Sequence, residues 1–551
     1  MQEIKLTPLA LAIFGLPAFA GTAPDAGQTI RENAPVIQAP AESKKFKIKS
    51  PTGPDAVKGG ATVVLLSVTF TGNSHISQDE LTKVIGDVAG KSFDLAGLRS
   101  ITNQVGDYYH TKGYSFARAY LPAQALTDGN LEIVIVEGNY GKISTLGDEK
   151  LAPAAMRFLT DLNSGDPIFA PKLERDLLVL DDQPGVKVTP LIRPGQALGT
   201  GDLDVRVERE KRFASSIGLD NHGNRYTGRN RLKANAEANS SLTLGDQVTA
   251  SGLYTEEDMW FGSLGYSLPI GGRGLRAQLN VMHTYYELGK EFKSLEAHGV
   301  ADVASAGLSY PIFRSQLSNL SISANYQHKW MSDKQDSTNT SDTKSSDTLP
   351  IALNFDIRDG FGGGAVTYGA FTWMHGKLNL GSGADKTNDV SANTDGRFDK
   401  FNLELARNQL LPRNFSAYTR LSAQWTSTNL DSSESFGLGG INGVRAYPTG
   451  EGFGDEGALL QAEIRYAKAL DNGVNLSPYA FYDIGSVKIN HNNWTSDKNH
   501  RNISGAGFGV RTNYNGWSAD LALAWRLNGG QPESDTKNYY PMFWLSAGYR
   551  Y

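Results

Sequence analysis

The sequence predicts an all-β transmembrane barrel of sixteen antiparallel strands, preceded by two small α+β modules of order β-α-α-β-β. Three observations predict it. Apolar and polar residues alternate from Phe213 to the C-terminus, the connections there are by turns short and long, and one pattern of elements occurs twice before residue 211. Composition agrees: of 551 residues, 40% are hydrophobic, 10% aromatic and 20% charged, and 60 are Gly. Such a chain is too polar for a bundle of membrane helices and too aromatic for disorder. A formal net charge of −5, from 53 basic and 58 acidic residues, offers no basic surface to nucleic acid. With no Cys, thiol catalysis, thiolate metal sites and disulfides are excluded.

Residues 1–20 read as an export signal. Lys5 precedes an apolar run over residues 9–19, which ends in Ala18-Phe19-Ala20, a small-x-small cleavage pattern. The run falls short of the ~20 apolar residues a lasting membrane helix needs. Residues 21–62 are rich in Ala, Pro, Gly and Lys and read as a linker, in which residues 25–33 form a candidate helix.

The first module spans residues 63–139. A β-branched run over 63–73 closes at Gly72-Asn73. Ser77 then caps a helix carrying Leu81, Val84, Ile85 and Val88, and a second helix from Asp94 carries Leu95, Leu98, Ile101 and Val105. Strands over 117–122 and 131–137 complete it. Residues 140–210 repeat the order, with a strand at 143–146, helices at 151–162 and 171–180, and strands at 187–192 and 203–208.

Residues 211–551 supply the barrel. Alternating segments start near 213, 229, 247, 259, 275, 297, 318, 348, 366, 400, 415, 458, 474, 503, 517 and 541. Turns after even-numbered strands are short, as at Gly245-Asp246, Gly271-Gly272, Asp359-Gly360, Arg413-Asn414, Asn472-Gly473 and Asn515-Gly516. Connections after odd-numbered strands run long and polar, as over 332–347, 379–397, 427–457 and 486–502. Short turns on one rim and long loops on the other build an outer-membrane barrel, and closure satisfies every backbone group in lipid. A soluble β-sandwich does not account for that alternation.

The loop over 427–457 holds a Gly-rich stretch ending in Gly443-Val444-Arg445-Ala446-Tyr447. Strand thirteen holds Phe481-Tyr482-Asp483-Ile484-Gly485, and parity aims Asp483 into the lumen. A guanidinium in a narrow lumen needs a carboxylate, since a lone confined charge is costly. Glu463, lumenal by the same parity on strand twelve, is a rival to Asp483.

The first module, with its Gly72-Asn73 turn, resembles the polypeptide-transport-associated (POTRA) domain. That implies a three-stranded sheet with two helices on one face and a free edge that accepts an extended peptide. Val444-Arg445-Ala446-Tyr447 resembles the Val-Arg-Gly-Tyr/Phe loop motif of the POTRA-plus-barrel superfamily, and Phe481-x-Asp483-x-Gly485 its barrel motif. Two POTRA-like units before sixteen strands resemble the outer-membrane transporter of two-partner secretion, the haemolysin/adhesin-activator type, over residues 63–551. The resemblance implies that the long loop folds into the lumen and that Arg445 pairs with Asp483. Ala446 departs from the motif's Gly, so the local turn is expected to differ. It also implies a plug helix in the pore, the position residues 25–33 occupy; a flexible tail is the other reading. The aromatic ending, with Tyr549 and Tyr551, resembles the C-terminal signal by which barrels are recognised for assembly.

No catalytic constellation emerges. The nine His form no zinc motif, residues 360–364 lack the Lys-Ser/Thr of a phosphate loop, and residues 332–347 lack calcium-loop spacing. No metal or cofactor is expected. The expected function is export of a large unfolded exoprotein (an adhesin, haemolysin, contact-dependent toxin or haem-acquisition protein) from the periplasm through a monomeric outer-membrane barrel. Its other partners are the bilayer and the barrel-assembly machinery. An assembly factor for other barrels, and less readily a passive pore or receptor, are the alternatives.

Overall fold

A computed structural model describes residues 23–34, 36–41 and 59–551. The predicted signal at 1–20 and residues 42–58 of the predicted linker lie outside the described residues. The first described element is a helix, α1 (Ala26–Glu32), whose N-cap Asp25 accepts from the Gln28 amide.

The first module contains β1 (Ser67–Thr71), α2 (Gln78–Ile85), α3 (Leu95–Thr111), β2 (Arg118–Tyr120) and β3 (Asn130–Val136). Ser77 and Asp94 cap the two helices. The run expected as one strand from residue 63 is broken: Val63–Val64 pairs with Ser92–Phe93, and only β1 joins the main sheet. Leu65, between them, turns into the core beside Leu81, Ile101, Val105 and Ile133, and that inward turn interrupts the strand. The second module contains β4 (Asn139–Gly147), α4 (Leu151–Ala155), α5 (Ala170–Asp181), β5 (Val186–Pro194) and β6 (Thr200–Arg209). The helix expected over 151–162 stops at Ala155 and continues as a 3-10 turn, Met156–Phe158. The tightened turn brings Phe158, Leu159 and Leu162 together into the core.

The two sheets are built alike. In each, the last strand lies in the middle, parallel to the first and antiparallel to the second. Glu137 anchors the first module at the end of β3. Its carboxylate accepts from the Ser74 and His75 amides at 2.8 and 2.9 Å and from the Tyr109 hydroxyl at 3.0 Å, and it faces His75 Nδ1 at 2.8 Å.

Sixteen antiparallel strands then close a barrel. They are β7 (Phe213–Asp220), β8 (Arg231–Asn239), β9 (Gln247–Thr255), β10 (Trp260–Ile270), β11 (Leu275–Glu287), β12 (Ala297–Arg314), β13 (Ser318–Gln335), β14 (Thr340–Asp359), β15 (Ala365–Ser382), β16 (Gly396–Leu410), β17 (Phe415–Thr426), β18 (Glu456–Tyr466), β19 (Asn475–Lys488), β20 (His500–Tyr514), β21 (Trp517–Asn528) and β22 (Met542–Arg550). Strand β22 returns to β7 from Ser546↔Asp220 to Arg550↔Ser216. Leu279, Val281, Leu308, Leu353, Ile357 and Leu545 point outward as part of an apolar band. No described helix is long and apolar enough to cross a membrane.

One expected loop is largely strand. Residues 332–347 were expected to link strands seven and eight, but β13 runs to Gln335 and β14 starts at Thr340. Polar residues on both faces there form a ladder that stands clear of the apolar band, and so lack its hydrophobic alternation. The second module sits on three short turns. Arg157 donates to the Leu244 carbonyl at 3.0 Å, Arg273 grips Asp161 at 2.7 and 2.8 Å, and Arg314 grips Asp182 at 2.6 and 2.7 Å. These contacts put the modules and the turns after even-numbered barrel strands on one side.

Burial alone would raise the Glu137 carboxyl, but hydrogen bonds from His75 and Tyr109 outweigh it and hold the group below its ordinary value. A carboxyl lowered on folding stabilises the folded state above its unfolded pKa, and that contribution is lost as pH falls through the lowered value. Urea unfolding of a fragment spanning residues 59–210 is expected to show this acid loss. Glu137→Gln should cost about 2 kcal/mol at neutral pH and flatten the acid limb.

Candidate functional site

The loop over residues 427–455, between β17 and β18, turns into the lumen. It carries a 3-10 turn, Ser432–Glu434, and a two-residue ribbon of Phe436–Gly437 with Phe453–Gly454. Its tip is apolar where it meets the wall. Leu438, Val444, Ala446 and Tyr447 are buried against Leu459, Phe481, Val487, Ile503, Ala524 and Trp544.

Arg445 sits in this contact with 2% of its surface exposed. Its Nε and Nη2 donate to Asp483 at 2.8 and 2.6 Å, and its own amide donates to Asp483 Oδ2 at 3.1 Å. Nη1 donates to Glu463. The rivals are therefore joint partners: the two carboxylates flank one guanidinium, while the Phe481 ring lies 3.7 Å beneath it. Glu463 also accepts from Arg465 at 2.7 Å and Arg511 at 2.9 Å, so cations share the acidic charge. Tyr447 donates to the carbonyls of Asn528 and Gly530 at 2.7 and 3.0 Å.

Parity along β19 explains the wall. Phe481 and Asp483 are buried inward, whereas Tyr482 and Ile484 are exposed outward. Gly485 also faces in, where a side chain would meet Leu438. Tyr549 and Tyr551 lie away from this contact; Tyr549 packs on Trp517 at 4.9 Å, and the Tyr551 amide donates to Ser215 O at 2.9 Å.

Two features escaped sequence reasoning. Trp544, inward on β22, donates from its indole nitrogen to the Arg445 carbonyl at 2.7 Å. On β20, Gly505, Gly507 and Gly509 face inward at every second position, where side chains would strike Ala446, Phe481 and Tyr479 respectively. The methyl of Ala446, which replaces the motif's Gly, is housed by this stripe, and its backbone stays out of the left-handed region. The period-two glycines were the available signal.

A second contact joins α1 to the loop and wall. Asp25 accepts from Lys344 at 2.9 Å and Ser432 Oγ at 2.6 Å; the Ala26 amide donates to Asp333 at 2.9 Å, and Arg31 to the Ser435 carbonyl at 3.0 Å. Gly27 packs so closely on Ser432 and Ser433 that a side chain would overlap them. Asn224 Nδ2 reaches Glu32 at 2.9 Å, and at the far end Arg358 donates to the Ala41 carbonyl at 2.6 Å. Arg358 lies at the even-turn end of β14, so the chain runs along the lumen from one rim toward the other. Behind the loop, Glu434 is held by Lys329 and, at 2.6 Å, Lys400. Among the described residues no cluster of three or more His, Cys, Asp or Glu is arranged to hold a metal.

Residues 199–512 match the family described as haemolysin secretion/activation protein ShlB/FhaC/HecB, and residues 63–138 match the POTRA domain of ShlB type. The chain is 27% identical over 490 residues to a heme/hemopexin transporter protein of Haemophilus influenzae, covering 86% of this chain and 84% of that one. It is 22% identical over 499 residues to an outer membrane transporter CdiB of Dickeya dadantii, covering 87% and 86%. The fold is that of CdiB from Escherichia coli, at TM-score 0.73 and 20% identity, covering 92% and 94% of the two chains.

Filling the glycine stripe should dislodge the loop as surely as removing its charge. Gly505→Leu is expected to raise protease cleavage of the loop in purified protein and to increase single-channel conductance in planar bilayers. Ala446→Gly should leave both readouts unchanged.

Proposed function

The chain belongs to the haemolysin secretion/activation family ShlB/FhaC/HecB and is an outer-membrane transporter of two-partner secretion with periplasmic POTRA domains; on that premise we propose how it holds its pore shut and what it moves. The observation that carries the proposal is the burial of Arg445 between Asp483 and Glu463. Removing one side of a buried charge cluster costs about 3–5 kcal/mol, enough to hold a loop in one place. Val444, Arg445, Ala446 and Tyr447 form the latch, and Phe481, Asp483, Glu463 and Gly485 form its keeper. Helix α1 is a plug seated on the same loop. No group in this cluster is catalytic in our reading: the protein is a conduit and not an enzyme.

The client is caught unfolded in the periplasm. Strands β1 and β2 lie at the two edges of the first module's sheet, and an edge binds an extended chain by main-chain hydrogen bonds with little demand on sequence. Client folding outside the cell supplies the direction of transport. Similarity to a heme/hemopexin transporter over most of both chains supports a haem-acquisition exoprotein as the client. We further read residues 1–20 as the export signal, the strand ending in Tyr549 and Tyr551 as the mark read by the barrel-assembly machinery, and the working unit as a monomer.

Proteomics of culture medium, cell surface and outer membrane, with and without the gene, tests this reading. Loss of one large exported protein is the expected result; broad loss of other barrels would make it an assembly factor instead. Arg445→Ala should yield a normal heat-modifiable barrel that exports poorly, and unchanged export would overturn the latch.

A further inference from the structure

The inward loop is fastened at a second place, on the outside. Its residues 438–451 fold into one knob. The Leu438 and Gly439 amides donate to the Glu451 carbonyl at 3.2 and 2.9 Å, the Val444 amide to the Leu438 carbonyl at 2.7 Å, and the Gly440 amide to the Tyr447 carbonyl at 3.1 Å. Arg445 projects from this knob to the barrel wall, and Glu451 projects from its neck to the connection between β21 and β22. That connection follows the fifteenth barrel strand, so it lies on the side opposite the POTRA modules.

Glu451 is buried, with 1% of its surface exposed. Its Oε1 accepts from Arg501 Nη2 at 2.6 Å and Nε at 3.1 Å, and from the Glu533 amide at 3.2 Å. Its Oε2 accepts from the Glu533 and Ser534 amides, both at 3.0 Å, and from Ser534 Oγ at 2.8 Å. Two successive amides, a hydroxyl and a guanidinium that converge on one carboxylate make an anion receptor. Every donor comes from the rim, and the carboxylate comes from the loop. Arg501 is oriented by further bonds of its own. Nη1 and Nη2 donate to the Gly529 and Gln531 carbonyls at 2.7 and 2.9 Å, and Nη1 faces the exposed Glu533 carboxylate at 3.0 Å.

The other half of the connection is tied to its neighbours. Asp535 pairs with Arg229 and, at 3.5 Å, with Arg225; the Thr536 hydroxyl donates to Glu291 at 2.8 Å. Residues 529–541 therefore bridge the knob to the external loops after β7 and β11. The receptor is anchored to the rim independently of the loop that fills it, so it stays in place when the loop leaves.

We propose that Arg501 and residues Glu533 and Ser534 form a carboxylate-binding site on the external side, and that Glu451 occupies it to hold the lumenal loop in place. Glu451 is a positioning residue, acting at the mouth as Arg445 acts at the wall, and its role rests on the reading of this loop as the closure of the pore. The test is limited proteolysis of the loop in the purified full chain, with conductance in planar bilayers read beside it. Glu451→Ala should yield a heat-modifiable barrel whose loop is cut on the order of tenfold faster, the effect of losing one hydrogen bond to a charged group. Acetate carries the carbon and carboxylate that this substitution deletes. Sodium acetate should therefore slow the cutting again, whereas acetamide, which has the shape without the charge, and sodium chloride at equal ionic strength should not. Arg501→Gln should loosen the loop as well and show no response to acetate. Unchanged cleavage of Glu451→Ala, or equal effects of acetate and acetamide, would overturn the proposal. Faster cleavage reversed by acetate, with conductance unchanged, would support the site and overturn instead the reading of the loop as the closure.

Discussion

A sheet that crosses lipid must leave no backbone group unpaired, and every other feature of the barrel follows from meeting that demand by closure. Strand β22 must return to β7, which fixes an even strand number and sends alternate side chains inward. Sixteen strands enclose a lumen too wide for ordinary side chains to fill. The inward faces are therefore polar, and something longer than a side chain has to occupy the space. The loop over 427–455 and helix α1 do so.

The filling is held by charge where a soluble core would use hydrocarbon. Arg445 lies between Asp483 and Glu463, Glu434 between Lys329 and Lys400, and Lys344 between Asp25 and Asp431. Buried ion pairs of this kind add little net stability over a well-packed apolar contact, yet breaking one is costly. They suit an element that must sit in one place or leave altogether. The apolar tip around Leu438 and Val444 supplies fit, and the ion pairs supply register.

The architecture was legible because it is periodic. Alternation from Phe213 onward and the short turns at Gly271-Gly272 and Asn515-Gly516 gave the strand number, and the family match agrees with the fold and the class of function. Parity aimed Asp483 and Glu463 at the lumen, where they lie. Parity could not say that one arginine would take both, since that depends on how far a Gly-rich loop reaches. Trp544 was hidden because the first four residues of the C-terminal strand, Met542-Phe543-Trp544-Leu545, are apolar on both faces, so the outward Phe543 and Leu545 masked an inward indole. The extensions of β13 and β14 were hidden because a polar ladder standing in water has no apolar face to betray it. The break after Ala155 was hidden because its cause is the tight packing of Phe158, Leu159 and Leu162, which helical periodicity does not register.

The second module is fastened under the turns from β8 to β13, and the Arg445 cluster is built from β18, β19, β20 and β22. The periplasmic attachment and the latch thus occupy opposite halves of the cylinder. Helix α1 spans them, gripping Asp333 and Lys344 on one half and reaching the loop that rests on the other. It works as a keystone: with it seated, a twist applied to the module is shared across the whole ring. Once it is withdrawn, the two arcs are joined only by the hydrogen-bonded strands and the loop's own ion pairs, Glu434 with Lys329 and Asp431 with Lys344, so a twist is carried through the loop to the point where Arg445 meets its carboxylates.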